Sequence, residues 1–243
     1  EMDLIKSAHE VIKNAKQGIL LLPGIGTIED LEEAYENGAR VVRVATHCTE
    51  ADVAIQHIKA AKKMGMFVCG FLMMVHMASP EKLLEQAKIF EEAGADYVNL
   101  ADSSGYLLPS DVTDRIKVLV EGLNIPVGFH AHNNLGLAIA NSIAAVEAGA
   151  TYIDATCRGL GAGAGNTQLE VLAAVFDRMG YDTGLDLYGT MDVAEEIVET
   201  TAEEVKEEAA QEPASQSFTP PFVAQYNPIT YTNVAPVKDV KPM

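Results

Sequence analysis

Basic residues are scarce in this sequence. Its 243 residues include 17 lysines and arginines against 35 aspartates and glutamates, which gives a formal net charge of −18. Non-specific binding to nucleic acid or to an anionic membrane needs a basic surface, so we expect neither as a partner. Apolar runs long enough to cross a bilayer are also missing, and the first residues lack the basic and then apolar pattern of a signal peptide.

Cysteine is sparse as well. Cys48, Cys69 and Cys157 are far apart, each in or beside an apolar run, and they form no Cys-x-x-Cys pair. An odd number of widely spaced cysteines does not define a disulfide framework. We therefore predict reduced, buried thiols and a cytoplasmic protein.

Apolar runs of strand length alternate with segments of helical periodicity. The pattern predicts strands at 18–22, 40–45, 67–75, 96–101, 126–132 and 151–157, and helices at 3–15, 27–39, 50–64, 79–93, 109–122, 135–148 and 169–179. Strands that are apolar on both faces are typical of a parallel sheet covered by helices. The predicted fold class is therefore α/β.

Six strand–helix units can be counted, in keeping with a (β/α)8 TIM barrel, in which eight units close the sheet. Because the first predicted element is a helix, we expect the two missing units to lie upstream of Glu1. A doubly wound open sheet is the architectural alternative. Polar residues follow nearly all the predicted strands, and a barrel brings all these strand ends to one mouth, which favours the partial barrel.

The sequence changes character near residue 199. We expect a partial barrel domain over residues 1–198 and, over residues 199–243, an acidic helix followed by an irregular Pro-rich tail. The tail has no sustained apolar period and fits an extended linker. The alternative is an arm that becomes ordered on a partner, because Phe218, Phe222, Tyr226 and Tyr231 stand among β-branched residues.

Two histidines stand out at the end of the predicted strand 126–132. Side chains two apart on a strand project from the same face, so His130 and His132 can bind one divalent metal ion through one nitrogen each. The alternative is that both histidines only fill a polar strand end. A metal site also needs a third ligand, usually a carboxylate.

A second candidate site is the glycine-rich loop 158–166, which follows a predicted strand and precedes a predicted helix. Its backbone N–H groups and the start of the next helix suit a carboxylate or a phosphate, so Gly163 and Asn166 are candidate substrate contacts. A dinucleotide-binding loop is a weaker alternative, because no clear strand with a terminal acid follows about 20 residues later. A plain surface turn is the third.

Other candidate substrate contacts lie at other strands. Leu20 and Leu22 share a strand face and could form an apolar wall for a small substrate, or pack in the core. Arg43 lies inside an apolar run and needs an anionic partner, either a substrate carboxylate or a structural aspartate or glutamate. Ser103 belongs to segment 102–105, which could offer a carboxylate to metal or substrate, or simply turn the chain and cap the next helix.

Six segments, taken in order, resemble a known family. They are LLLPGIGT, ARVVRVATHCTEADV, GFLMM-x-HM, ADSSG, HAHNNLGLAIANSIAAVEAGA and GAGAGN. From about Leu4 to about Val198 the sequence resembles 4-hydroxy-2-oxovalerate aldolases, which belong to a superfamily of metal-dependent aldolases and lyases. Hydroxymethylglutaryl-CoA lyase and isopropylmalate synthase are other members.

The resemblance implies a TIM barrel with a divalent metal ion, commonly Mn²⁺, that holds a pyruvate enolate. It implies that His130 and His132 are metal ligands, and that Arg43, Leu20 and Leu22 belong to the strands that shape the site. The implied reaction cleaves a small 2-oxo acid between C3 and C4 into pyruvate and an aldehyde, after a base removes the 4-hydroxyl proton. An acylating aldehyde dehydrogenase is the implied protein partner.

Two departures from the family bear on activity. The family has a first-strand Arg-Asp-Gly motif that supplies a metal ligand and an arginine for pyruvate, with a histidine base nearby, and its carboxyl-terminal helical region supplies a tyrosine. This sequence has no Arg-Asp-Gly and ends in the Pro-rich tail, so we assign no catalytic residue.

We hold two hypotheses: a lyase whose first-strand residues come from elsewhere, or a non-catalytic barrel remnant that acts as a binding or assembly subunit. A different enzyme of the superfamily is a third. Unpaired barrel edges favour an oligomer or a partner in each case.

Overall fold

The computed structural model describes residues 2–199 and 232–233. Six parallel strands lie in sequential order, each paired with the next along the chain: β1 (Gly18–Leu21), β2 (Val41–His47), β3 (Phe67–Met73), β4 (Tyr97–Asp102), β5 (Val127–Ala131) and β6 (Tyr152–Ala155). The side chains of Arg43 on β2 and Asp154 on β6 meet although three strands separate them, so the sheet curls. A curled sheet without a reversal of strand order confirms the partial TIM barrel and excludes the doubly wound sheet.

Helices follow the strands on the outer side of the sheet. They are α1 (Met2–Val11), α2 (Ile28–Glu36), α3 (Ile55–Lys63), α4 (Pro80–Ala93), α5 (Pro109–Gly122), α6 (Ala138–Glu147), α7 (Leu169–Arg178) and α8 (Leu187–Val193). Short 3₁₀ turns occupy Ala51–Ala54, Val75–Met77 and Cys157–Gly159, and a π-helical turn follows α8 at Ala194–Glu199. Every helix that the periodicity predicted is present.

Local capping sets where these helices begin and end. The side chains of Thr27 and Asp30 each accept the backbone N–H of the other at the start of α2, which forms a capping box. Gly38, Gly94 and Gly149 end α2, α4 and α6 with φ angles of 113°, 102° and 106°, a left-handed region that side chains with a Cβ rarely enter. A glycine in the left-handed region therefore ends each of these three helices before the chain returns to the sheet.

Four helical segments differ from the prediction. The helix predicted at 3–15 ends at Val11. The segment predicted as a helix from residue 50 forms a 3₁₀ turn before α3 begins at Ile55. The helix predicted from residue 135 begins at Ala138, because Gly136 turns the chain with a φ of 71° and Asn133 Oδ1 accepts the Ala138 N–H at 3.1 Å. Helix α8 was not predicted, since it has only seven residues and one of them is a glycine.

Apolar side chains fill both sides of the sheet. The main core lies between the strands and the outer helices and includes Val42, Leu72, Leu100 and Phe129, all at most 1% exposed. A smaller cluster lies inside the curl of the sheet and consists of Ala45, Cys69, Phe71, Tyr97 and Ala101. The ring of Tyr97 stacks on that of Tyr152 with centroids 4.3 Å apart, so the inside of the half-barrel is packed rather than open.

The far edge of β6 pairs with β7 (Thr232–Asn233), which runs antiparallel to it with Asp154 opposite Asn233. The acidic helix and the other residues of the Pro-rich tail that the sequence predicts lie outside the described residues. Over the part of the chain that the structure describes, no helix has the length and apolarity to cross a membrane.

Candidate metal centre

His130 and His132 meet at the carboxyl end of β5. Alternation along the strand puts both rings on the same face, and their Nε2 atoms lie 3.3 Å apart. His130 is 6% exposed and packs edge-on against Phe71, with ring centroids 5.6 Å apart. The structure therefore brings the two predicted metal ligands together at the rim of the inner cluster.

The other nitrogen of each ring faces a hydrogen-bond acceptor. His130 Nδ1 lies 3.1 Å from Asp154 Oδ2, and His132 Nδ1 lies 3.3 Å from the carbonyl oxygen of Ala162. A carbonyl or an ionised carboxylate can only accept, so each Nδ1 must carry the hydrogen. In a neutral imidazole the second nitrogen is then unprotonated. When both rings are neutral, as metal binding requires, the two Nε2 atoms present lone pairs toward each other.

Two facing lone pairs repel unless a cation lies near them. Nitrogen ligands bind a divalent metal at about 2.1 Å, so two of them at 90° to 109° around one ion are about 3.0 to 3.4 Å apart. The observed 3.3 Å between the two Nε2 atoms fits this spacing. The spacing of the histidine pair is therefore compatible with two ligands to one metal ion, and their role as ligands stays a prediction.

The electrostatics of His132 suit a metal ligand. Burial lowers the pKa of His132 below its usual value, and the adjacent His130 lowers it further. A histidine must be neutral to bind a metal ion, so a lowered pKa keeps His132 ready near neutral pH. The carbonyl of Ala162, which accepts from Nδ1, acts in the opposite direction but does not outweigh burial.

Asp154 lies at the centre of a buried polar network inside the half-barrel. Its carboxylate accepts two hydrogen bonds from Arg43 and one from Asn99 Nδ2 at 2.8 Å, besides the contact with His130. Burial alone would raise the pKa of Asp154, but the charge of Arg43 and the hydrogen bond from His130 lower it to about 2. Asp154 is therefore an ionised acceptor.

This network shows one of the two predicted anionic partners of Arg43. Arg43 is 3% exposed and its anionic partner is the structural carboxylate of Asp154. Asp154 raises the pKa of Arg43 against the opposing effect of burial. A contact between Arg43 and a substrate carboxylate stays a prediction.

Leu20 and Leu22 share a face, as predicted. Both are half-buried and pack against the inner cluster that contains Phe71. They belong to β1 and the residues directly after it, at an edge of the sheet. Their role as an apolar wall for substrate stays a prediction.

Segment 102–105 turns the chain, which is one of its two predicted roles. Asp102 accepts the N–H groups of Tyr106 at 3.1 Å and Leu107 at 3.0 Å, so its carboxylate caps the turn before α5. The Ser103 hydroxyl accepts the N–H of Met74 at 3.0 Å and joins the ends of β3 and β4. Ser103 remains a candidate substrate contact that the described contacts do not require.

The glycine-rich loop folds over His132. Gly163 has a φ of 65°, and a Cβ at this position would lie 2.5 Å from Asn134 Oδ1. Asn134 in turn accepts the Ala164 N–H at 2.8 Å and donates to Ser104 O at 2.9 Å. The loop therefore places the Ala162 carbonyl behind His132 because its glycines allow this close approach.

Asn166 ends this loop beside the histidines. It forms an isolated antiparallel bridge with His132, and its Nδ2 donates to Leu160 O at 2.9 Å. Asn166 Oδ1 is buried and has no hydrogen-bond partner among the described residues. This amide oxygen lies beside Gly161 within the loop and is a buried acceptor that a further donor would satisfy.

A third ligand of the usual kind is not found. Within residues 2–199 and 232–233, no group of three or more His, Cys, Asp or Glu side chains is placed to hold a metal ion. The described residues thus contribute two imidazoles. Asp154 contacts Nδ1 of His130 and not the Nε2 atom that would face the metal ion.

Sequence reasoning missed Asp154 and Asn99. A single aspartate in a short strand does not reveal its partner, which lies 111 residues earlier in the chain. One signal was available: Arg43 and Asp154 are opposite charges, each inside an apolar run predicted to be a buried strand of one sheet. Buried charges need each other, so the two could have been paired.

Comparison with known proteins defines the class. The model of the HMGL-like family matches residues 1–197, and the chain belongs to this family. Its fold is similar to that of the HMG-CoA lyase of Bacillus subtilis, with a TM-score of 0.74 and 21% identity over 82% of this chain and 76% of that one. It is also similar to the carboxyl transferase domain of Rhizobium etli pyruvate carboxylase, with a TM-score of 0.73 and 20% identity over 79% and 35%. At these identities the likeness shows the fold alone.

The sequence relatives are more specific. The chain is 62% identical over 197 residues to a 4-hydroxy-2-oxovalerate aldolase of Moorella thermoacetica, covering 81% of this chain and 58% of the relative. It is 63% identical over 196 residues to an enzyme of the same name from Carboxydothermus hydrogenoformans, with 81% and 58% covered. These matches confirm the resemblance on which the sequence analysis relied. The chain spans 58% of the length of these relatives.

Proposed function

We propose that this chain provides the histidine part of a divalent-metal-dependent carbon–carbon lyase. The substrate class is a 4-hydroxy-2-oxo acid such as 4-hydroxy-2-oxovalerate, which is cleaved to pyruvate and an aldehyde. The observation that carries the proposal is the pair of Nε2 atoms, 3.3 Å apart, with both Nδ1 atoms facing acceptors. The names of the relatives at 62% and 63% identity support the reaction class.

His130 and His132 would hold the metal ion, for which we propose Mn²⁺. When bound, the ion would supply Lewis-acid stabilisation of the negative charge that develops on the 2-oxo group during cleavage. Behind the histidines, Asp154 orients His130 and the carbonyl of Ala162 orients His132. Leu20, Leu22 and Phe71 form an apolar surface on the inner side that would exclude water from the reacting carbons.

The described residues do not complete such a site. They offer no third His, Cys, Asp or Glu ligand next to the pair, and none of them is assigned as the base. We propose that a further ligand, a base and an arginine for the substrate carboxylate come from outside the described residues. An oligomer or an acylating aldehyde dehydrogenase partner would cover the open edge of the sheet at β1.

A cytoplasmic setting is part of the proposal. Cys48 and Cys69 are buried free thiols and Cys157 is a partly buried one. Burial raises the pKa of all three thiols, and that of Cys69 rises to about 12. Such thiols are inert fillers that suit a reducing compartment.

A binding or assembly subunit is the second candidate function. The observation that favours it is the two-ligand set, because two imidazoles alone bind metal less tightly than a set with a carboxylate. In addition, Thr232 and Asn233 of β7 pair with the edge strand β6. Residues from the carboxyl-terminal part of the chain are thus used to cover an edge of the sheet. On this hypothesis the fold is kept for contacts rather than for turnover.

Metal content and turnover separate these candidates. The purified 243-residue chain would be loaded with Mn²⁺, dialysed and analysed for metal, and pyruvate release from 4-hydroxy-2-oxovalerate would be followed on the same sample. His130→Ala is the test variant, and His9→Ala, an exposed histidine of α1, is the matched control.

We expect one Mn²⁺ per chain in the wild type and in the control, and none in His130→Ala. Turnover that disappears with the metal would establish the lyase. Stoichiometric metal without turnover would favour the second candidate. A wild-type chain that retains no Mn²⁺ would contradict the metal centre itself.

A further inference from the structure

We infer that Asp154 is a positioning residue for His130 and that Arg43 is the residue that holds Asp154 in place. The carboxylate fixes the His130 tautomer in which Nε2 is unprotonated and directed to the same point as His132 Nε2. The inference rests on the proposed role of His130 as a metal ligand. It gives Arg43 a function through Asp154 rather than through a substrate carboxylate.

Strand register places the carboxylate behind the ring. His130 on β5 and Asp154 on β6 are register partners in neighbouring parallel strands, so their side chains leave the same face of the sheet side by side. Asp154 Oδ2 lies 3.1 Å from His130 Nδ1. The other ring nitrogen of His130, Nε2, faces Nε2 of His132. The backbone itself therefore sets this contact, with no flexible loop between the two residues.

Other strands hold the carboxylate in its orientation. The guanidinium of Arg43 on β2 donates to both carboxylate oxygens, and Asn99 on β4 donates its Nδ2 hydrogen to Oδ2 at 2.8 Å. A planar two-point pair does not rotate as a single hydrogen bond can. Side chains from β2, β4 and β5 thus meet the carboxylate that β6 carries, so four of the six parallel strands contribute to this contact. The carboxylate itself has no proton to give.

The proton between Asp154 and His130 must therefore come from Nδ1. Both oxygens of Asp154 already accept from N–H groups, so the short contact to His130 requires an Nδ1–H donor. The side chains of Asp154 and His130 are only 4% and 7% exposed, so bulk water has little room to replace either partner. Carboxylates behind metal-binding histidines fix tautomer and ring orientation in this way.

A purely structural ion pair is the competing explanation. The Arg43–Asp154 pair would then hold the sheet together, and His130 would be an incidental neighbour. The two explanations differ in one observable: a structural pair does not determine which nitrogen of His130 carries the hydrogen, whereas a positioning carboxylate does.

Nitrogen NMR measures that observable on the metal-free chain. Long-range proton–nitrogen spectra of the ¹⁵N-histidine-labelled, 243-residue protein at pH 8 report the tautomer of each ring, and His130→Ala identifies the His130 signals. We expect the Nδ1–H form for His130 in the wild type. An Nε2–H form in the wild type would overturn the inference, whatever the variants do.

Two double variants test the dependence on Asp154. Arg43→Met with Asp154→Leu removes both charges together, so that no charge is left buried alone, and it removes the acceptor. Arg43→Met with Asp154→Asn removes the same charges but keeps an amide oxygen that can accept from Nδ1. We expect the Nδ1–H form to be lost with leucine and retained with asparagine, because the acceptor and not the charge pair sets the tautomer.

Metal affinity gives the second readout. Calorimetric titration with Mn²⁺ should show about 10- to 100-fold weaker binding for the leucine variant and a smaller loss for the asparagine variant. A leucine variant that folds and keeps both the tautomer and the affinity would overturn the inference. If the wild type binds no Mn²⁺, the proposed function fails, and the wild-type tautomer still decides the inference. If the leucine variant does not fold, the wild-type and asparagine spectra decide it.

Discussion

Arg43 and Asp154, which are 111 residues apart, form a buried two-point ion pair inside the half-barrel. Their side chains are each 4% exposed, and they connect the second strand of the sheet to the sixth. An ion pair at this position has to be complete, because either charge alone would be buried without compensation. The pair therefore links the curvature of the sheet to the placement of His130.

Removing one partner of this pair should be costly. We expect Asp154→Ala to lower the free energy of unfolding by about 3 to 5 kcal/mol, because it leaves the guanidinium of Arg43 buried. The double variant Arg43→Met with Asp154→Leu should lose less than Asp154→Ala, since it removes both charges. Urea denaturation of the three proteins measures the difference. A double variant less stable than the single one would contradict this view of the pair.

The exposed pair Lys82–Glu85 serves as the control for that experiment. Its side chains are 40% and 63% exposed, and the residues are three positions apart on α4. Exposed ion pairs contribute at most about 1 kcal/mol, so Glu85→Ala should leave the denaturation midpoint nearly unchanged. A large effect there would mean that any lost charge destabilises this acidic chain.

Acid should weaken the fold through the same carboxylate. The pKa of Asp154 is about 2 in the folded protein against an ordinary value of 3.8, so the unfolded chain binds the proton more readily. Asp154 therefore contributes stability above about pH 4, and this contribution is lost as pH falls toward 2. Between pH 5 and pH 3 the wild type should lose about 1 kcal/mol more than Arg43→Met with Asp154→Leu. Equal losses would contradict the lowered pKa.

Gly105 should be indispensable for placing the histidine loop. A Cβ at Gly105 would lie 2.8 Å from His132 O and 2.7 Å from Asn134 N, and both neighbours are backbone atoms. Gly136 has a similar positive φ of 71° but nothing within 4 Å of the same position. We expect Gly136→Ala to cost about 1 to 2 kcal/mol, and Gly105→Ala to cost more and to weaken Mn²⁺ binding. Thermal unfolding and metal titration of both variants test this difference. Equal losses of stability and of Mn²⁺ affinity in the two variants would contradict it.

The capping box of α2 gives a purely structural prediction. Thr27 Oγ1 accepts the Asp30 N–H at 3.1 Å, and Asp30 Oδ2 accepts the Thr27 N–H at 2.8 Å. Thr27→Ala should lower the free energy of unfolding by about 1 kcal/mol, while Thr27→Ser should keep most of the stability that the cap contributes. Metal binding should not change in either variant, because α2 lies outside the site. Chemical denaturation shows whether serine and alanine differ; equal effects would mean that the hydroxyl does not cap the helix.

Local pattern predicted most of the fold. Helix 109–122 coincides with α5, and the strand predicted at 96–101 is shifted by one residue in β4 (Tyr97–Asp102). Such segments follow from period, glycine and proline alone. Helix α8 could not be predicted, because its seven residues are too few to establish a period and its start depends on one cap, Asp186, whose side chain accepts the Gly189 N–H at 3.2 Å.

The site was predictable only in part. Spacing placed His130 and His132 on one face, but it could not show which nitrogens face each other or what lies behind the rings. That information depends on the register of β5 against β6 and on the curl that brings β2 to β6. The partner of Arg43 stayed open because periodicity does not pair residues 111 positions apart; only the opposite charges of Arg43 and Asp154, each in a predicted buried strand, pointed to the pair.

Pulsed electron paramagnetic resonance of the Mn²⁺-loaded chain tests the central claim most directly, because nitrogen modulation counts the imidazoles bound to the ion. The claim is that His130 and His132 bind one metal ion through their Nε2 atoms. We expect modulation from two imidazoles in the wild type and from none in His130→Ala, in His132→Ala or when both are replaced, because a single imidazole does not retain the ion. Wild-type Mn²⁺ without nitrogen modulation, or modulation that survives the double replacement, would contradict it.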